Sequence, residues 1–125
     1  MTKRILIAED EAYLRLLILQ SIEELEDEGV EISMAEDGAQ ALEYINSEHP
    51  QLVLLDVMMP FVNGFEVCQK VRSDPNLPQP YIILLTAKGQ EYDKLRGNQA
   101  GADVYMTKPF NPDELLSAVR KAIFT

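Results

Sequence analysis

Leu52-Val53-Leu54-Leu55-Asp56-Val57-Met58-Met59-Pro60 decides the fold. Four apolar residues ahead of a single acid read as a strand buried on both faces, whose last side chain, Asp56, emerges at the rim of a sheet. A carboxylate buried without partners is strongly destabilising, so Asp56 needs either an open edge or compensating groups. Candidates follow the other strand-like runs: Glu9-Asp10 after the first, Thr86 after the fourth and Lys108 after the fifth.

Working outward, the pattern alternates strand and helix. Residues 4–8 are apolar and β-rich, and residues 10–27 carry Leu14, Leu17, Ile18, Ile22 and Leu25 at helical spacing, closed by Gly29. Residues 30–35 read as a strand with Val30, Ile32 and Met34 on one face, followed by an Asp37-Gly38 turn and a helix over 39–47 ended by Pro50. After Asp56, the loop through Pro60 and Asn63-Gly64 leads to a helix over 65–72, and Pro75, Pro78 and Pro80 stiffen the next connection. Residues 81–85 form the fourth strand, and 88–100, sparse in apolar residues and broken by Gly97, read as a weak helix that can move at low cost. A short strand at 103–106 and a turn at Thr107-Lys108-Pro109-Phe110 precede a last helix, with Asn111 as N-cap and Leu115, Leu116, Val119 and Ile123 on its apolar face. Five such βα units imply a parallel sheet covered on both sides by helices, with right-handed crossovers. The site of such a sheet lies beyond the carboxyl ends of its strands, where Asp10, Asp56, Thr86 and Lys108 fall.

The chain of 125 residues is one domain's worth, and a single domain over 1–125 is expected. With 11 Lys plus Arg against 21 Asp plus Glu, the net charge of −10 disfavours direct nucleic-acid binding. One cysteine, Cys68, permits no intrachain disulfide, and its spacing with Phe65 and Val71 places it in a helix's buried face. The apolar stretch after Lys3-Arg4 is too short for a signal peptide and no run could span a membrane, so a cytoplasmic location is expected. His49, the sole histidine, precedes Pro50 as a solvated loop residue.

Glu9, Asp10 and Asp56 would gather three negative charges. Two carboxylates about 4 Å apart repel by roughly 4 kcal/mol at an effective dielectric of 20, which invites a cation or a raised pKa. Oxygen-only donors favour Mg²⁺, with Mn²⁺ able to take its place, over zinc. Helix N-capping is the bland alternative for Glu9-Asp10, and a solvated turn that for Asp56. A carboxylate beside such an ion, with Lys108 as a point charge and Thr86 as a hydroxyl donor, is suited to act as nucleophile in phosphoryl transfer.

The sequence closely resembles the response-regulator receiver domains of two-component signalling. The matching motifs are Ala8-Glu9-Asp10, Leu54 to Pro60 with Gly64, Leu85-Thr86-Ala87, Gly101-Ala102-Asp103 and Lys108-Pro109-Phe110, in order along nearly the whole chain. The resemblance implies a flavodoxin-like (βα)5 doubly wound fold of strand order 2-1-3-4-5. It implies that Asp56 accepts phosphate from a sensor histidine kinase or phosphotransfer protein, with Glu9, Asp10, Asp56 and the Met58 backbone carbonyl holding Mg²⁺. Thr86 and Lys108 would contact the phosphoryl group, with Ala87, Met58, Lys88 and Pro109 as neighbours. Tyr105 would move with Thr86 as a switch, and the Lys108-Pro109 bond would be cis. The switching face would comprise strand 5 and the last two helices, contacting a downstream effector or output domain or a second, phosphorylation-dependent copy. Met58 and Lys88 flank the path of a hydrolytic water, which predicts a long-lived phosphoform.

Such a domain is no enzyme in the usual sense; it would do no more than phosphorylate itself from small donors and dephosphorylate itself. The rivals are a phosphorylation-independent scaffold, a Mg²⁺-dependent phosphohydrolase with an Asp56 nucleophile, and a nucleotide-binding module. The phosphohydrolase would need a second acid where this chain has Met58, and the nucleotide-binding module a phosphate cradle where it has Glu9-Asp10-Glu11.

Overall fold

The run Leu52 to Asp56 is the middle strand of the molecule, and all five of its residues are buried. The computed structural model describes residues 2–87 and 100–124. In chain order the elements are β1 (Lys3–Ala8), α1 (Ala12–Ile22), a 3-10 segment (Glu23–Glu28), β2 (Val30–Ala35), α2 (Gly38–Glu48), β3 (Leu52–Asp56), α3 (Gly64–Arg72), β4 (Tyr81–Ala87), β5 (Val104–Lys108) and α4 (Pro112–Phe124). All strand pairs are parallel, in the order β2-β1-β3-β4-β5. The alternation implied a parallel sheet with helices on both sides, and the resemblance to receiver domains implied this flavodoxin-like strand order; the structure has both.

Side chains alternate across the sheet, so each strand feeds two cores. Leu6, Ala8, Val53, Leu55, Ile82 and Leu84 pack with α2 and α3 through Ile45, Phe65, Cys68 and Val71. Ile5, Ile7, Leu54, Ile83 and Leu85 pack with α1 and α4 through Ile18, Ile22, Leu115 and Val119. Burying both faces explains why the strands read as continuous apolar runs.

The helical spacing over 10–27 resolves into two pieces. The α-helix ends at Ile22 and the chain tightens into the 3-10 segment, where Glu23, Glu24, Glu26, Asp27 and Glu28 crowd the negative end of the helix dipole. Gly29, at φ 87°, then turns the chain, its N–H donating to Glu26 O at 3.1 Å. Arg120 on α4 holds Glu24 at 3.0 Å and also pairs with Glu28, tying the segment to the last helix. The helix α2 runs to Glu48, and it is His49, exposed and left-handed at φ 50°, that caps it ahead of Pro50.

Two strands also differ from expectation. β5 does not turn after Met106 but continues through Lys108, because Thr107 and Lys108 pair with Thr86 and Ala87. On β2, an edge strand, the expected face tapers from buried Val30 to exposed Met34. The weak helix expected over 88–100, with Lys88, lies outside the described residues apart from Ala100.

Arg72, at the end of α3, fastens the start of β5. Its guanidinium donates to Gly101 O, Gln79 Oε1, Pro80 O and Asp103 Oδ2, each at 2.8 Å. One turn earlier Cys68 is fully buried, its thiol donating to Ala100 O at 3.3 Å, and burial pushes the thiol pKa up to about 11. Cys68 should therefore resist a thiol-disulfide reagent at pH 8 in the native chain and react at once in denaturing urea. Rapid labelling without urea would show that this helix does not pack as described.

Candidate functional site

Register brings the site together. Ala8 pairs with Leu55, so Glu9 and Asp56 lie side by side one step beyond; Asp56 itself pairs with Leu85, and Ala87 with Lys108. Alternation puts Glu9, Asp56 and Lys108 on the face that carries Ile7, Leu54 and Met106. β4 separates β3 from β5, two steps of about 4.8 Å, so only a long side chain from β5 reaches Asp56. Lys108 does, its Nζ donating to Asp56 Oδ1 at 2.7 Å and standing 3.5 Å from Glu9 Oε1.

Both acids are out of water, Glu9 at 1% and Asp56 at 2% exposure, while Asp10 is exposed. Burial, reinforced by the neighbouring Asp56 charge, pushes the Glu9 carboxyl up to about 7. Burial also raises Asp56, and the bond to Lys108 offsets this only in part. Desolvation pulls Lys108 down, but its bond to Asp56 and the two acids' charges outweigh it, so the ammonium is held charged.

Glu9 Oε2 accepts from the Glu11 N–H at 3.1 Å, whereas buried Glu9 Oε1 has no hydrogen-bond partner among the described residues. Carboxylate oxygens of Glu9, Asp10 and Asp56 lie within 4.8 Å of one another, with no histidine or cysteine among them. A buried oxygen without a hydrogen bond, beside two further carboxylates and only one ammonium, suits a hard divalent cation. Neither Glu9 nor Asp10 is the N-cap of α1, which is Glu11 without a side-chain cap bond, although one Glu9 oxygen holds the N–H of that residue.

The loop after Asp56 is fixed from both ends. Val57 and Met59 turn into the core while Met58 between them is 72% exposed. Gly64 N–H donates to Val57 O at 2.9 Å, and a Cβ on Gly64 would collide with the Asp56 carbonyl oxygen. Gly38 abuts the Val62 carbonyl in the same way, so α2 and α3 both start against this loop. A capping box, Asn63 Oδ1 accepting from Glu66 N–H at 3.0 Å and Glu66 Oε1 from Asn63 N–H at 3.2 Å, sets the start of α3. The Asn63-x-x-Glu66 spacing carried that signal in the sequence, whereas the roles of Gly38 and Gly64 depend on contacts no local pattern contains.

Thr86 is buried at the end of β4, and Tyr105 is half-buried against the α2–α3 core. Both fall on the opposite parity from Asp56 and Lys108. Ala87 is the last residue of β4, and Pro109 is exposed after a cis Lys108–Pro109 bond. Lys88 is outside the described residues.

A parallel sheet whose central strand end carries an acid clasped by a lysine from two strands away is the arrangement that the resemblance to receiver domains implied. The chain belongs to the response-regulator receiver-domain family, whose model matches residues 5–120. It is 42% identical over 96% of its length to the alkaline phosphatase synthesis transcriptional regulatory protein PhoP of Bacillus subtilis, of which it covers 48%. The chain spans about half the length of the curated relatives it matches. Among solved structures, the receiver domain of a signal transduction histidine kinase from Syntrophus aciditrophicus superposes with a TM-score of 0.86 at 28% identity, covering 98% of this chain and 91% of that one. Chemotaxis protein CheY4 of Vibrio cholerae superposes with a TM-score of 0.83 at 28% identity, covering 98% and 100%. No helix among the described residues is long and apolar enough to cross a membrane.

The raised Glu9 carboxyl has a consequence for stability. Its folded value of about 7 exceeds the ordinary 4.5, so between those values the folded chain binds more protons than the unfolded one. Stability in metal-free buffer should therefore fall as pH rises from about 5 to 7, by on the order of 1–3 kcal/mol. Urea midpoints in EDTA measure this; Glu9→Gln should flatten the slope, and a midpoint that climbs with pH in this window would contradict the assignment.

Proposed function

We propose that residues 1–125 form one receiver domain in which Asp56 takes a phosphoryl group from the phosphohistidine of a sensor kinase or phosphotransfer protein. The observation that carries this is the 2.7 Å contact of Lys108 with Asp56 beside a buried Glu9 oxygen that makes no hydrogen bond. In the transfer an Asp56 oxygen forms a bond to phosphorus while the bond from phosphorus to imidazole nitrogen breaks, leaving a neutral imidazole on the donor, whose other ring nitrogen carries the proton. Glu9, Asp10, Asp56 and the Met58 carbonyl would hold Mg²⁺, or Mn²⁺ in its place, whose contribution is to neutralise charge on the transferred oxygens.

The chain's own residues do the rest. Lys108 keeps Asp56 in place before transfer and meets the phosphoryl oxygens afterwards; Thr86 donates its hydroxyl to them. Tyr105, on the same side of the sheet as Thr86, follows that movement. The phosphoryl group brings close to two negative charges to a rim already crowded with acids, enough to shift an equilibrium of the face that includes β5 and α4.

That face would meet an effector, an output domain or a second copy of the domain. Transcriptional output fits relatives such as PhoP, and the charge of −10 assigns any DNA contact to another module. The location that suits this role is the cytoplasm. Exposed Met58, with Lys88, would shield the phosphoryl group from water and prolong its life.

Incubation with acetyl phosphate and Mg²⁺ tests the reading by intact mass. The native chain should gain one phosphoryl group, lost on omission of metal, and Asp56→Asn should gain none; an unchanged native mass under conditions where Mg²⁺ binds would refute phosphoacceptance.

A further inference from the structure

Arg15 lies on α1 and is absent from every role assigned so far. Its side chain is only 15% exposed and folds back over the start of its own helix. Nη1 donates to the main-chain carbonyl of Glu9 at 2.8 Å and, more weakly, to that of Asp10 at 3.4 Å, while Nη2 stands 3.6 Å from Glu36 on the β2–α2 loop. The Glu9 N–H meanwhile donates to Ala35 O at 3.1 Å. The peptide groups on both sides of Glu9 are thus pinned, and the second bond orients the peptide following Asp10. Asp10 itself is exposed, so nothing about its burial fixes it.

From this geometry we infer that Arg15 is a positioning residue for the acidic rim: by gripping the carbonyls of Glu9 and Asp10 it makes their carboxylates converge with that of Asp56 on one cation. The inference rests on the metal reading above and assigns it a residue that touches no metal ligand atom. Its interest is in the sign of the effect. As a charge alone, Arg15 repels a divalent cation, so removing it should tighten binding. As a clamp on the ligand backbone it does the opposite, since partners that orient metal ligands typically contribute 10- to 100-fold in affinity. The Glu36 ion pair is exposed on the Glu36 side and adds little.

The test is a Mg²⁺ titration of the native chain, Arg15→Gln and Arg15→Lys, followed by the amide resonances of residues 9–11 and 56–58, at low salt and at 0.5 M KCl. Binding about tenfold weaker in both variants is expected. Arg15→Lys keeps the charge but loses the planar fork, and the deficit should persist at high salt, where charge effects are screened. Equal or tighter binding by Arg15→Gln overturns the inference while leaving the metal site standing. Absence of saturable binding in the native chain overturns both. Should Arg15→Gln fail to fold, by loss of amide dispersion, Arg15→Lys decides: native-like affinity there overturns the inference.

Discussion

Two carboxylates are buried side by side at the ends of adjacent strands, and a single lysine compensates them from two strands away. That arrangement is costly by itself, because parallel pairing of β1 and β3 forces Glu9 beside Asp56 and the surrounding core removes the water that would screen them. Lys108 meets the need only in part: it bonds one oxygen of Asp56 at 2.7 Å and reaches Glu9 Oε1 only as an ion pair at 3.5 Å, without a hydrogen bond. The rim therefore holds unspent attraction for positive charge, and the rest of the structure serves to keep it in that condition. Two glycines admit helix starts against the loop beyond Asp56, a capping box sets α3, and an arginine grips the acidic loop from behind.

Much of this was legible in the residues alone. The strand ending at Asp56 announced itself because a strand buried on both faces can contain nothing but apolar residues, and the same logic located β1 and β4. Asp56, Glu9, Asp10, Thr86 and Lys108 were readable as one cluster because parallel strands bring all their carboxyl ends to a single rim. The structure shows Glu9, Asp56 and Lys108 in contact or adjacent there, and Thr86 buried at the end of its strand.

Other features were not legible, for definable reasons. Helical periodicity persists through Leu25, so the change to 3-10 geometry after Ile22 left no mark in the apolar pattern; it follows from acidic crowding and from Arg120, which lies almost a hundred residues away in the chain. The length of β5 depends on pairing with β4 and not on its own composition, which is why Thr107 and Lys108 read as a turn. Arg15 looks like any solvated helix residue, since a grip on main-chain carbonyls has no signature in side-chain type.

The order of the strands also constrains how the molecule can be made. Lys108 sits on β5, the last strand of the sheet, whereas Glu9 directly follows β1 and Asp56 ends β3. A chain emerging from the ribosome can pair β1, β2 and β3 long before its compensating ammonium exists, but α4, which covers that face of the sheet, follows β5 and so comes later still. The two acids are therefore withdrawn from water only after their counter-charge has been made, which ties closure of the core on that face to completion of the site.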